Sequence, residues 1–223
     1  MKAQTMAEQI IASRRSLVEG LARPERQKAA AEGGCGVVGL AASVPVAGRH
    51  LVAPARQMHN RGNGKGGGLA AAGLDARQMR VSPGTLREAT LLQIAYLDPG
   101  AQAEVERACL LPDLEVLQGY AVPTVDDYRE VAGLEVEPPQ VWRYFVRIKA
   151  GVLDRFAAEN GLQALSPRVL EDEYIYRHSF RLNQRFYAGL DDKQGGSGGA
   201  LQAFVLSHGR DLLVFKIVGY AEQ

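Results

Sequence analysis

The chain has 223 residues, 46% of them apolar and 23% charged, with a formal net charge of +1. That length suits one domain, or one domain with a large insert, and allows a core of useful size. A balance so close to neutral gives no basic field to draw nucleic acid or an anionic membrane, and no aromatic-basic interleaving marks a single-strand binder. No apolar run reaches the roughly 18–20 residues of a membrane span. The N-terminus carries Glu8 and Glu19 among its apolar residues and so lacks the apolar core of a signal peptide. Two cysteines, Cys35 and Cys109, do not make a disulfide framework, and the expected setting is cytoplasmic and reduced.

Residues 1–34 form a segment of their own. Ile10, Ile11, Leu17, Val18 and Leu21 fall on one face of a helix that Pro24 ends, and a polar, Ala-rich link runs on to Gly33-Gly34. The segment suits a docking helix or a removable leader. "CGVVGLAA" (35–42) reads as a short buried strand. A helix is expected over about 50–60, with Pro54 in its first turn. "NRGNGKGGG" breaks it, "GLAAAGL" (68–74) is a second buried strand, and "ARQMRVSP" continues or pairs with that strand.

Residues 86–96 and 101–108 read as helices separated by Asp98-Pro99-Gly100. "LEVLQGYAVPT" is a strand and "VDDYREVAGL" a short helix. "PPQVWRYFVRIKA" alternates Val141, Arg143, Phe145, Arg147 against Trp142, Tyr144, Val146, Ile148, which predicts a strand with one apolar and one basic face. "GVLDRFAAENGL" is an amphipathic helix stopped at Asn160-Gly161. "EDEYIYRHSFRL" looks strand-like, followed by a short helix "NQRFYAGL". "DDKQGGSGGA" (191–200) is a loop. The last two apolar runs flank Ser207-His208-Gly209-Arg210-Asp211 as a hairpin. Strands at 35–80 and 203–220 thus frame an α+β insert.

Few patterns carry chemistry. Gly62-Asn63-Gly64-Lys65-Gly66-Gly67 spells a glycine loop, but it follows a helix and precedes a strand, the reverse of a phosphate-binding turn. Its bland explanation is a helix cap and a close backbone approach. His50, His59, His178 and His208 share no metal-ligand spacing, so no metal is expected. Glu171-Asp172-Glu173 reads as a solvated face, and Cys109 as a small core residue. Cys35 is either a buried strand residue or a nucleophile. A nucleophile needs a base, and no nearby side chain offers one. The α-amino group of an N-terminal cysteine, with a pKa of about 7.7–8.0, serves that purpose if residues 1–34 are removed.

"CGVVGLAA", followed about 25 residues on by "MHNRGNGKGGGLAAAG", resembles the N-terminal signature of class II glutamine amidotransferases. The variant is similar to the amidotransferase part of glutamate synthase, and the likeness extends over most of residues 35–220. The resemblance implies an α+β fold: an N-terminal-nucleophile hydrolase frame (an αββα sandwich), incomplete here and carrying a large α+β insert. It implies residues 1–34 as a propeptide, 35–85 as the start of the amidotransferase domain, 86–200 as the insert and 201–223 as the return hairpin. Cys35 is then the catalytic nucleophile and Asn60-Arg61-Gly62 the supporting turn, with Arg61 either orienting the nucleophile's surroundings or pinning the turn by hydrogen bonds to carbonyls. Glutamine is the implied substrate, no cofactor is implied, and the released ammonia passes to a synthase subunit or domain.

The family holds glutamine with an arginine in a His-Thr-Arg-Tyr-like stretch, an oxyanion-stabilising Asn-Gly pair and a further acidic residue. All of these follow the strand that here ends near Gly219-Tyr220. The resemblance therefore puts the substrate-binding residues beyond Gln223, and the expectation is a chain cut short before them and inactive alone. His208-Gly209-Arg210 and Asn160-Gly161 are poor substitutes. A non-catalytic binding or regulatory module on a vestigial amidotransferase frame is the alternative, with Arg143, Arg147 and Lys149 as a surface for acidic ligands.

Overall fold

The computed structural model describes residues 5–19, 21, 35–62, 66–131, 136–187 and 201–217. The helices are α1 (Met6–Ser13), α2 (Arg15–Val18), α3 (Val52–Gln57), α4 (Pro83–Glu88), α5 (Gln102–Val105), α6 (Val152–Asn160) and α7 (Pro167–Phe186). The strands are β1 (Gly67–Ala72), β2 (Thr90–Tyr96), β3 (Leu114–Ala121), β4 (Gln140–Ile148), β5 (Ala203–Gly209) and β6 (Leu212–Ile217). The protein is α+β with antiparallel sheets: a four-stranded sheet in the order β3-β4-β2-β5 and a two-stranded sheet of β1 and β6.

Side-chain alternation sorts β2 and β4 into two packed faces. Leu92, Ile94, Tyr96, Tyr144 and Val146 meet Phe156 of α6 and Leu170, Tyr174, Ile175, Leu182 and Phe186 of α7. Leu91 and Phe145 point the other way, into a second core with Met79, Leu86 and Ala89, against which Leu213 of β6 packs. The layers are therefore helices, four-stranded sheet, two-stranded sheet. Gln93, fully buried in β2, ties the two sheets together. Its amide donates to Ser207 Oγ and to the Val214 carbonyl, both at 2.9 Å, and accepts from Arg143 Nε at 3.1 Å.

Several sequence expectations change. Residues 86–96 are not one helix. Ser82 caps α4 through the Thr85 N–H, Pro83 starts it, and the chain then turns into β2. β2 is buried along its whole length, so it shows none of the alternation that marks a half-exposed strand. "EDEYIYRHSFRL" is helical, part of the 20-residue α7, which also takes in most of "NQRFYAGL". "ARQMRVSP" forms turns rather than a strand, and "VDDYREVAGL" contains only a 3-10 turn, Tyr128–Glu130, before residues outside the described set. The helix expected at 101–108 gives way at Glu106 to a π-helical turn, Glu106–Leu110. The loop at 191–200 lies outside the described residues.

The two terminal strands are not a hydrogen-bonded hairpin. β5 pairs with β2 and β6 with β1, so the chain crosses from one sheet to the other between Gly209 and Leu212. Asp211 makes that corner. It sits at φ 50, and its carboxylate accepts from the backbone N–H groups of Gly73 (3.0 Å) and Leu74 (2.6 Å). Arg210 pairs with Glu171 of α7. The last strand is described only as far as Ile217. Gly219-Tyr220, where it was expected to end, and Gln223, beyond which the substrate-binding residues were expected, lie outside the described residues.

Arg143, Arg147 and Lys149 form no open cationic surface. Arg143 faces the second sheet and lies 5.7 Å from the Phe215 ring, Arg147 pairs with Glu88, and Lys149 donates to the Leu111 carbonyl. Among the described residues no helix is long and apolar enough to cross a membrane.

Candidate functional site

Cys35 lies exposed in a segment without regular structure, and residues 35–42 form no strand. This corrects the expected buried strand. Its apolar residues are uncovered: Val37 is 87% exposed, and Leu40 and Val44 are also exposed. The physical reason is the absence of a partner, because β1 is paired only with β6, and 35–42 borders no strand among the described residues.

One contact nevertheless fixes where Cys35 sits. A Cβ built on Gly36 would lie 2.7 Å from Met58 Cβ, 2.8 Å from the Met58 carbonyl oxygen and 3.1 Å from Arg61 Cβ. The residue after Cys35 is thus pressed onto the end of α3 and the 3-10 turn His59–Arg61. Only glycine allows that approach. The two halves of the sequence signature, separated by more than 20 residues, meet in space. The turn is held by its backbone, Arg61 N–H to Met58 O at 2.9 Å and Gly62 N–H to His59 O at 3.2 Å. Asn60 and Arg61 are exposed and Gly62 is half-buried. Among the described residues the Arg61 guanidinium makes no hydrogen bond to a carbonyl, and residues 63–65, which follow the turn, lie outside the described set.

The glycines after the turn serve backbone approach as well. A Cβ on Gly68 would run into the Phe215 carbonyl oxygen, so β1 can lie against β6 only with glycine there. Residues 63–65, the centre of the glycine loop, lie outside the described set.

The contact on Gly36 makes a local test possible. Gly36→Ala pushes on the carbonyl that accepts the Arg61 N–H, whereas Gly39 has nothing within 4 Å of a built Cβ. Hydrogen exchange at the Arg61 and Gly62 amides is expected to rise about tenfold in Gly36→Ala, equivalent to about 1.4 kcal/mol, and to stay unchanged in Gly39→Ala. Equal exchange in the two variants would mean that the contact does not order the turn.

The other singled-out groups have structural partners. Cys109 is half-buried against the main core, and burial pushes its thiol up. Asn160 is taken up by α6 and α7: it donates to the Phe156 carbonyl and accepts from Arg177, while Gly161 ends α6 at φ 65. His208, half-buried near the tip of β5, is held below its usual range by burial, partly offset by Asp172. A cleft of about 670 Å³ lies away from these groups, lined by Tyr96, Pro99, Pro123, Pro139 and Gln140. Among the described residues no three His, Cys, Asp or Glu side chains gather as metal ligands.

Two polar clusters escaped the sequence reading. The buried Tyr96 and Tyr144 form a chain with the half-buried Glu106, 3.0 Å between the phenols and 2.8 Å from Tyr144 to the carboxylate. Burial raises the Tyr96 phenol to about 12 and pushes that of Tyr144 up as well, so both phenols stay protonated at physiological pH. The second cluster surrounds Glu173, which is 3% exposed, contrary to the solvated face expected for 171–173. Its only sequence signal is the i,i+4 spacing of Glu173 and Arg177. Comparison with protein-family models, with curated proteins and with solved structures finds no match.

Proposed function

We propose that the chain carries the nucleophile of a class II glutamine amidotransferase of the glutamate-synthase type. The observation that carries this reading is the seat of Gly36 on Met58 and Arg61, which places Cys35 beside the Asn60-Arg61-Gly62 turn. The exposure of Cys35 suits a thiol that must meet a substrate. Of the strands, β1, β5 and β6 fall within residues 35–85 and 201–223, which this reading assigns to the N-terminal-nucleophile hydrolase frame, whereas β2, β3, β4, α6 and α7 lie in the insert. On this reading the uncovered Val37, Leu40 and Val44 are the surface on which the remainder of that frame packs.

The chemistry starts with hydrolysis of the Gly34–Cys35 peptide bond, which leaves a carboxylate on Gly34 and a free α-amino group on Cys35. That amine takes the thiol proton, and the sulfur attacks the side-chain amide carbon of glutamine. Collapse of the tetrahedral intermediate returns the proton to the leaving nitrogen and releases ammonia, giving a glutamyl thioester. Water then hydrolyses the thioester to glutamate and regenerates the thiol. The ammonia is passed to a synthase partner.

The residues up to Gln223 contain no His-Thr-Arg-Tyr-like stretch to hold the glutamine carboxylate. Loss of a single oxyanion donor costs about 2.7–4 kcal/mol of barrier. The purified chain is therefore expected to release no glutamate from glutamine, whereas the assembled enzyme does so and loses that activity in Cys35→Ala. Glutamate release by the purified chain would overturn the inactivity of this chain alone, and full activity of Cys35→Ala in the assembled enzyme would overturn the nucleophile.

A further inference from the structure

The N-terminal segment is bound through its polar residues. Its expected apolar face supplies only part of the contact: Ile10 packs on the main core and Leu17 is half-buried, but Ile11 is 64% exposed and Val18 58%. Instead Ser13 and Arg14, at the junction of α1 and α2, enter a buried charge cluster on α6 and α7. Arg14 grips Glu173 with both ends of its fork, Nε to Oε1 at 2.8 Å and a terminal nitrogen to Oε2 at 2.5 Å. It also lies 4.0 Å from the centre of the Tyr176 ring. Arg177, 1% exposed, donates to Glu173 Oε1 and to Asn160 Oδ1, each at 2.8 Å. Its remaining bonds go to the Ser13 carbonyl at 3.2 Å and the Ser13 hydroxyl at 2.5 Å.

We propose that the α6–α7 face is a docking site whose occupant is the chain's own leader, and that the leader stays seated there after the bond before Cys35 is cut. The mature protein is then a complex of two chains, residues 1–34 and the remainder. The cut itself rests on the amidotransferase reading; the docking does not.

Twenty residues, 15–34, separate Arg14 from Cys35, so the cut removes none of the contacts above. Departure of the leader would strip two acceptors from the buried Arg177 and leave Glu173 Oε2 without its Arg14 partner. Unpaired buried charge is strongly disfavoured, and bidentate arginine–carboxylate pairs are among the stronger polar contacts. Glu173 is 3% exposed, although the Arg14 side chain is 38% exposed, so their pair is screened less by salt than one exposed on both sides.

The test separates docking from self-cleavage. A recognition sequence for an added protease is inserted between Gln27 and Lys28 of the full chain, the protein is cut under native conditions, and the fragments are run through gel filtration with mass analysis. The leader is expected to elute with the larger fragment, at both low and high salt. In Ser13→Ala/Arg14→Ala the retained leader is expected to fall at least tenfold. Arg14→Lys, which keeps the charge but not the fork, is expected to fall between the two and serves if the double variant does not fold. Separation of the fragments in the unsubstituted protein would overturn the proposal, as would full retention in Arg14→Lys and the double variant. A chain that never cuts itself before Cys35 would count against the amidotransferase reading alone.

Discussion

Arg177→Met is expected to lower the unfolding free energy by about 3–5 kcal/mol, the range for removing one partner of a buried ion pair. The reason is the number of groups that depend on it. Glu173, Asn160 and both oxygens of Ser13 lose a donor at once, around a guanidinium that is itself 1% exposed. Methionine fills much of the volume, so the loss reports charge and hydrogen bonding more than a cavity. Urea unfolding checks it, and an effect below about 1 kcal/mol, the level of an exposed pair, would show that the cluster is solvated. Glu173→Leu with Arg177→Met is expected to recover part of the loss, because no buried charge then remains and Arg14, 38% exposed, is left where water reaches it.

The same cluster sets a pH dependence. Burial pushes the Glu173 carboxyl up, but hydrogen bonds from Arg14 and Arg177 outweigh it and leave the group below its ordinary 4.5. A carboxylate held low in the folded state stabilises the fold fully above its unfolded value, and that contribution fades as pH falls through the folded value. The stability difference between the unsubstituted protein and Glu173→Gln is therefore expected to be constant near neutrality and to shrink below pH 4.5. A difference unchanged down to about pH 3 would contradict the pairing.

Gln93→Leu is expected to cost about 2–4 kcal/mol, one or two buried groups left unpaired at about 1–3 kcal/mol each. The side chain is the polar tie between two sheets that otherwise meet through Leu91, Phe145 and Leu213. Gln93→Glu keeps the acceptor for Arg143 but turns a lone pair toward the Val214 carbonyl, and should be no better tolerated. Faster amide exchange along β6 with an unchanged α7 would place the damage at the layer boundary. Equal loss in α7 would contradict the tie.

What the sequence revealed depended on whether a segment is half-exposed. β3, β4 and α6 were legible because each has a wet side, and the Asn160-Gly161 stop of α6 is where the structure puts it. β2 was not, because burial on both faces erases alternation. α7 was misread because its buried stripe holds Glu173 and Arg177 among the apolar residues, while Tyr174, Ile175 and Tyr176 have strand-like propensity. The leader read only as a docking helix or a removable segment, because pairing of Arg14 with a residue 159 positions away leaves no local trace. At the candidate site the resemblance implied Asn60-Arg61-Gly62 as a supporting turn for Cys35, and what the structure adds is the approach of Gly36 to Met58 and Arg61. The open, unpaired state of residues 35–42 was not anticipated, since an apolar run reads as buried whether or not anything covers it.

The most direct test is the N-terminus of the active assembled enzyme, read by peptide mass after treatment with a glutamine-like electrophile. The expected result is a chain beginning at Cys35, carrying a single adduct on its sulfur. An active enzyme in which Cys35 is still joined to Gly34, or in which the adduct sits elsewhere, would contradict the assignment of Cys35 as an N-terminal nucleophile.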